Sequence, residues 1–158
     1  MEILVSIIGG FIVGVIIGVL SNRWVAKRFE PPRKQKVDKF KSYYGLLTKW
    51  YSNNKEGNTM EHILLKSGYK RIAIYGMGEI GTMLYDALEG SSIEIAYAMD
   101  RKVKNCFSNL DIHELSEEIE EVDAIIVTVP FAFESVKKEI EARSTVKVES
   151  LEYLLFDV

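Results

Sequence analysis

Three glycines at fixed intervals and one aspartate beyond them are the residues whose spacing suits phosphate and ribose chemistry. They are Gly76, Gly78 and Gly81, in the run Gly76-Met77-Gly78-Glu79-Ile80-Gly81, and Asp100, 19 residues after the last glycine. This is the spacing of a dinucleotide-binding turn. Gly76 permits a tight turn out of a strand, Gly78 leaves room for a pyrophosphate against the backbone, and Gly81 lets the following helix approach the sheet. A helix opening here offers unpaired N–H groups and a positive dipole end to an anion. Asp100 suits a ribose hydroxyl. The candidate ligand-binding set is therefore Gly76, Met77, Gly78, Glu79, Ile80, Gly81, Asp100 and Arg101, with Thr128 added below. Glu79 favours the dipole but competes with a phosphate if it turns inward. Arg101 suits adenine stacking or a 2′-phosphate, so Asp100 points to NAD and Arg101 keeps NADP open.

These residues need a strand, a helix and a second strand to hold them. Arg71–Tyr75 is a short apolar run leading into the turn, and Ile80, Met83, Leu84, Ala87 and Leu88 mark an amphipathic helix stopping near Gly90. Ile93–Met99 is a second strand that ends at Asp100. The remainder predicts an acidic helix over Leu110–Glu121, a buried strand over Asp123–Val129, a helix over Phe131–Arg143, a strand at Val146–Val148 and a closing helix over Leu151–Phe156. Ala124-Ile125-Ile126-Val127 is an uninterrupted apolar run of the kind parallel sheets use. Thr128 follows it, at the strand end where ligands of open α/β sheets bind. It is read either as a ligand contact or as the cap of the next helix. The expected fold is α/β: a Rossmann-like parallel sheet of four to five strands with flanking helices, plus one N-terminal transmembrane helix.

The anchor is read from Ile3–Leu20, 18 residues without a charge. As a helix it would cover roughly 27 Å, close to the thickness of a bilayer core. A secretory signal would need a basic start and a small-x-small cleavage site, and neither is present. Eleven Lys/Arg against five Asp/Glu lie in residues 1–68, and nine against eighteen in residues 69–158. The basic flank puts the globular part in the cytoplasm and the N-terminus outside, a single span of the cytoplasmic (inner) membrane. Trp24 stands at the expected interface, and Pro31-Pro32 should end the first helical stretch. Gly10, Gly14 and Gly18 share one helix face and suit a homodimer. Residues 36–51 predict an amphipathic helix, Val37, Phe40, Tyr44, Leu47 and Tyr51 setting its spacing, that lies on the membrane surface or packs on the domain. Ser52–Asn58 is a loop, and Asn58 with Glu61 resembles a capping box for a helix over 59–67 stopped at Gly68. The expected divisions are 1–24 anchor, 25–57 basic connector, and 58–158 nucleotide-binding domain.

Catalytic residues are not recognised. Cys106 is the single cysteine and the histidines are His62 and His113, so no zinc spacing exists and no metal is expected. His113 falls in a polar helical stretch and reads as a surface residue. Tyr51 and Lys55 have the Tyr-x-x-x-Lys spacing that short-chain dehydrogenases use, but they lie in the basic connector ahead of the glycine turn; Tyr44 reaches Lys49 one residue late and Tyr97 meets Arg101. With 77 residues after Gly81, a separate catalytic domain is not expected.

From Tyr69 to Gly81, and again over Ala96–Arg101, the chain resembles small bacterial Rossmann-like proteins associated with surface-polysaccharide biosynthesis. It also looks like the nucleotide-binding region of membrane-bound nucleoside-diphosphate-sugar epimerases and dehydratases. The resemblance covers roughly residues 40–158. It implies an NAD(P)-type ligand on Gly76, Gly78, Gly81 and Asp100, and it imports no reaction. Three functions stay open: a membrane-tethered module that binds a dinucleotide or nucleotide-sugar beside a polysaccharide-assembly partner, an enzyme completed by a partner subunit, or a ligand-free interaction domain. No nucleic-acid partner is expected.

Overall fold

The computed structural model describes residues 32–101, 110, 112–114 and 119–158. The expected anchor over 1–24, Gly10, Gly14, Gly18, Trp24 and Cys106 lie outside the described residues. Among the described residues no helix is long and apolar enough to cross a membrane. The chain divides at Phe40, and Lys41–Val158 forms one compact unit.

The order of elements is α1 (Pro32–Lys55), α2 (Met60–Lys66), β1 (Arg71–Tyr75), α3 (Glu79–Leu88), β2 (Glu94–Met99), β3 (Ile112–His113), β4 (Ala124–Val127), α4 (Phe133–Glu141), β5 (Lys147–Ser150) and α5 (Leu151–Phe156). A short 3-10 turn, Pro130–Ala132, leads into α4. The five strands form one parallel sheet in the order β3-β2-β1-β4-β5. That is the first five places of the doubly wound order.

Strand alternation divides the core. On β1, Ile72 and Ile74 point to one face, and Ala73 and Tyr75 to the other. On β4, Ala124 and Ile126 join the first pair, while Ile125 and Val127 join the second. The first face is covered by Leu46 and Trp50 of α1, Ile63 and Leu64 of α2, Leu84 and Leu88 of α3, and Leu151, Leu154 and Leu155 of α5. The second is covered by Phe133, Val136 and Ile140 of α4. Burial on both faces is why β1 and β4 carry no charge after Arg71. The connector helix thus packs on the globular unit through Leu46 and Trp50, one of the two placements its pattern allowed.

Three expectations need correction. The stretch read as an acidic helix over Leu110–Glu121 supplies a strand: Ile112 and His113 pair with Ala98 and Met99, and Ile119 and Glu120 are not helical. The physical reason is that the outer edge of β2 needs backbone partners, and two residues suffice to pair its end beside the crevice. His113 is therefore half-buried, its ring stacked on Tyr97 at 5.1 Å and 17°. Second, α2 is capped by Thr59, whose hydroxyl accepts from the His62 N–H at 3.2 Å. Glu61 instead accepts from the Ser92 N–H and hydroxyl at 2.8 and 2.7 Å, tying the turn before β2 to α2. The stop at Gly68 stands, with φ at +85°. Third, α1 extends to Lys55, past the expected loop start at Ser52.

Candidate functional site

The crevice forms where the chain leaves β1. The next strand, β2, lies on one side of β1, and β4 lies on the other. This reversal separates the following loops and opens a gap at the C-terminal strand ends. Gly76 begins the turn: its N–H donates to the Met99 carbonyl at 2.8 Å, which continues the β1–β2 ladder by one residue. Its φ is +95°, and a Cβ there would lie 2.5 Å from Val129 Cγ2 and 2.8 Å from Thr128 Oγ1. Only glycine meets both conditions. Gly81 is required for another reason. A Cβ would lie 2.1 Å from the Gly76 carbonyl oxygen, so α3 could not sit so close to the turn.

Gly78 differs from both. Its φ is −77°, open to any residue, and a Cβ would meet nothing within 4 Å. It is the N-cap of α3, and no side chain caps the first-turn amides. Among the described residues no packing contact requires a glycine there. A missing side chain before uncapped amides fits close approach of a phosphate.

Two side chains hold the turn from behind. Asp100 Oδ2 accepts the Met77 N–H at 2.8 Å. Thr128 is buried, and its hydroxyl reaches the Gly76 carbonyl at 2.6 Å and the Tyr75 carbonyl at 3.1 Å. Its N–H donates to the Tyr75 carbonyl at 3.0 Å. Thr128 therefore does not cap the next helix, whose N-cap is Ala132 with no side-chain bond. It braces the glycine turn against β4. Asp100, expected at the ribose, is also a brace, and it fixes the Met77 amide away from the set that α3 presents.

Met77 and Ile80 are buried in the core and anchor the turn, while Gly78 and Glu79 are exposed. Arg101 pairs with Glu139 of α4 at 3.0 Å. The Tyr75 phenol beside it is pushed above its ordinary range by burial, with Arg101 pulling the other way.

Tyr43 of α1 is the residue the sequence reading missed. Its ring meets that of Phe131, which follows β4, at 5.9 Å and 87°. Burial, and then the charge of Glu79, raise its phenol above the ordinary value. It is a neutral hydroxyl next to the first turn of α3. The only signal in the sequence was an extra tyrosine beside Tyr44, off the main apolar spacing.

The arrangement can take up an anion on backbone amides, with an aromatic hydroxyl and a carboxylate at its margins. It brings together Gly76, Met77, Gly78, Glu79, Ile80, Gly81, Asp100 and Thr128, with Arg101 turned to α4. No protein-family model, curated protein or solved structure matches this chain.

Proposed function

We propose that this chain is a membrane-tethered Rossmann-type module that binds an NAD-type dinucleotide or a nucleotide-sugar in the crevice. Its role is accessory or regulatory in cell-surface polysaccharide synthesis. The observation that carries the reading is Gly78: a glycine with an ordinary φ, open space at Cβ, and uncapped helix amides beyond it. Packing explains Gly76 and Gly81 but not Gly78, and a phosphate does. The first-turn amides of Glu79, Ile80 and Gly81, beyond Gly78, would hold the phosphates, Gly76 and Met77 would shape the turn behind them, and Asp100 would stand near the ribose. The Arg101 guanidinium is paired with Glu139, and Asp100 adds a second carboxylate on the preceding residue. That balance disfavours a 2′-phosphate and favours NAD over NADP. The resemblance over Tyr69–Gly81 and Ala96–Arg101 supports the polysaccharide setting, and the uncharged run Ile3–Leu20 supports the tether.

The test is thermal unfolding of the full chain in detergent with NAD(H), NADP(H), CoA or a nucleotide-sugar. A ligand present at 100 times its dissociation constant adds about 2.7 kcal/mol of stability. NAD is expected to shift unfolding more than NADP, and Glu139→Gln to narrow that gap by freeing Arg101. Gly78→Val is expected to fold and to lose the shift. No shift with any of these ligands, or an unchanged shift in Gly78→Val, overturns the reading.

A further inference from the structure

Among the described residues, none buries the outer face of α1. Leu46 and Trp50 are buried on its inner side, yet Tyr44 is 65% exposed, Leu47 37% and Tyr51 66%. The same helical spacing runs back through Phe40 and Val37, which are also exposed. An apolar stripe of this length on a soluble surface marks an interaction site. Its surroundings are mainly basic, with Asp38 and Glu56 at the two ends. Residues 39–55 contain four lysines and neither Asp nor Glu. Lys55 Nζ lies 5.6 Å from the centre of the Tyr51 ring, on the stripe itself, and Lys41 is exposed on the same turn as Tyr44.

We propose that this stripe docks on an anionic bilayer surface, with Tyr44, Leu47 and Tyr51 entering the headgroup layer and Lys41 and Lys55 meeting lipid phosphates. Charge complementarity decides the occupant. Pairing two copies of the stripe would set lysine against lysine, four in each copy over residues 37–56 with only Asp38 and Glu56 to offset them. An anionic surface offsets them all. Tyrosine suits such a boundary because its ring is apolar and its hydroxyl stays wet. The two placements open to this helix are then both used: one face packs on the sheet, the other faces lipid. Tyr43, next to Tyr44, touches the crevice mouth through Phe131. Docking would therefore hold the ligand crevice beside the membrane plane.

The test uses the full chain with Cys106→Ser and a spin label at Tyr44→Cys or Tyr51→Cys, against a control label at Ser135→Cys on α4. Vesicles are phosphatidylcholine alone or with phosphatidylglycerol, and the readout is relative collision with oxygen and with a water-soluble nickel chelate. In anionic vesicles the labels at 44 and 51 are expected to favour oxygen several-fold over the label at 135. High salt, pure phosphatidylcholine, or the triple change Lys41→Glu, Lys49→Glu and Lys55→Glu is expected to remove that preference. Equal accessibility at all three sites in anionic vesicles overturns the proposal. Strong spin–spin coupling between copies at 44 and 51 also overturns it, because a second copy then covers the stripe. Nucleotide plays no part in this readout, so its failure and that of the crevice reading are told apart. Chain added to preformed vesicles, compared with reconstituted chain, separates the stripe from the tether.

Discussion

Thr128 shows how much one hydroxyl controls at this site. It is buried and joined to the carbonyls of both residues at the corner of the glycine turn. Thr128→Val keeps the shape but leaves the Gly76 carbonyl without that donor. We expect a loss of about 1–3 kcal/mol in denaturant unfolding, the cost of a buried group left unmet. Thr128→Ser should recover most of it. Asp100→Ala removes a charged acceptor from the Met77 amide and is expected to cost about 1.5–3 kcal/mol by the same measurement. Gly78→Ala differs from both. Its Cβ meets nothing, so stability should change by no more than about 1 kcal/mol, the N-cap preference. A stability change as large as that of Thr128→Val would mean that Gly78 serves the fold itself.

At the scale of elements, Gly81 gives the sharpest sign test. Replacing a helical glycine with alanine ordinarily stabilises by about 1 kcal/mol. Here the new Cβ would lie 2.1 Å from the Gly76 oxygen, so α3 must move away. We expect Gly81→Ala to destabilise by about 1–3 kcal/mol, the range for overpacking, read as a lower denaturant midpoint. The glycine turn and its flanking strands were legible because their constraints are local: β1 after Arg71 and all of β4 are apolar, and the turn has fixed spacing. Closing helix α5 matched its predicted limits for the same reason. β3 was illegible because two residues carry no period, and pairing with Ala98 and Met99 is decided by the neighbouring edge. The bracing role of Asp100 was hidden as well. Its spacing from Gly81 suits a ribose contact and a turn brace equally, and only the 2.8 Å bond to Met77 distinguishes them. Tyr43 was missed because its partner Phe131 lies far along the chain.

At the scale of the whole molecule, acid response follows from two carboxylates that join distant segments. Asp123 accepts the N–H groups of Lys70 and Arg71, each at 2.8 Å, pinning the start of β4 to the start of β1. The Arg71 amide, then the Lys70 amide, hold its carboxyl below the ordinary aspartate value. Glu61 is lowered in the same way by the Ser92 amide and hydroxyl. A carboxyl whose folded pKa is depressed adds stability above its unfolded pKa of about 4, and that stability is lost as pH falls through the folded value. The full chain should therefore lose stability on acidification below about pH 4. Asp123→Asn should flatten that limb of a pH-dependent melting series, and an unchanged slope would assign the acid response to other groups.

The last helix also sets a timetable for synthesis. Asn53, buried near the end of α1, donates through its amide to the Leu155 carbonyl at 2.8 Å, and Leu151, Leu154 and Leu155 share a core with Leu46 and Trp50. Until α5 leaves the ribosome, the inner side of α1 lacks the cover of Leu151, Leu154 and Leu155. A nascent chain stalled before Leu151 would leave Leu46 and Trp50 partly uncovered, and full burial of Trp50 would report the docking of α5.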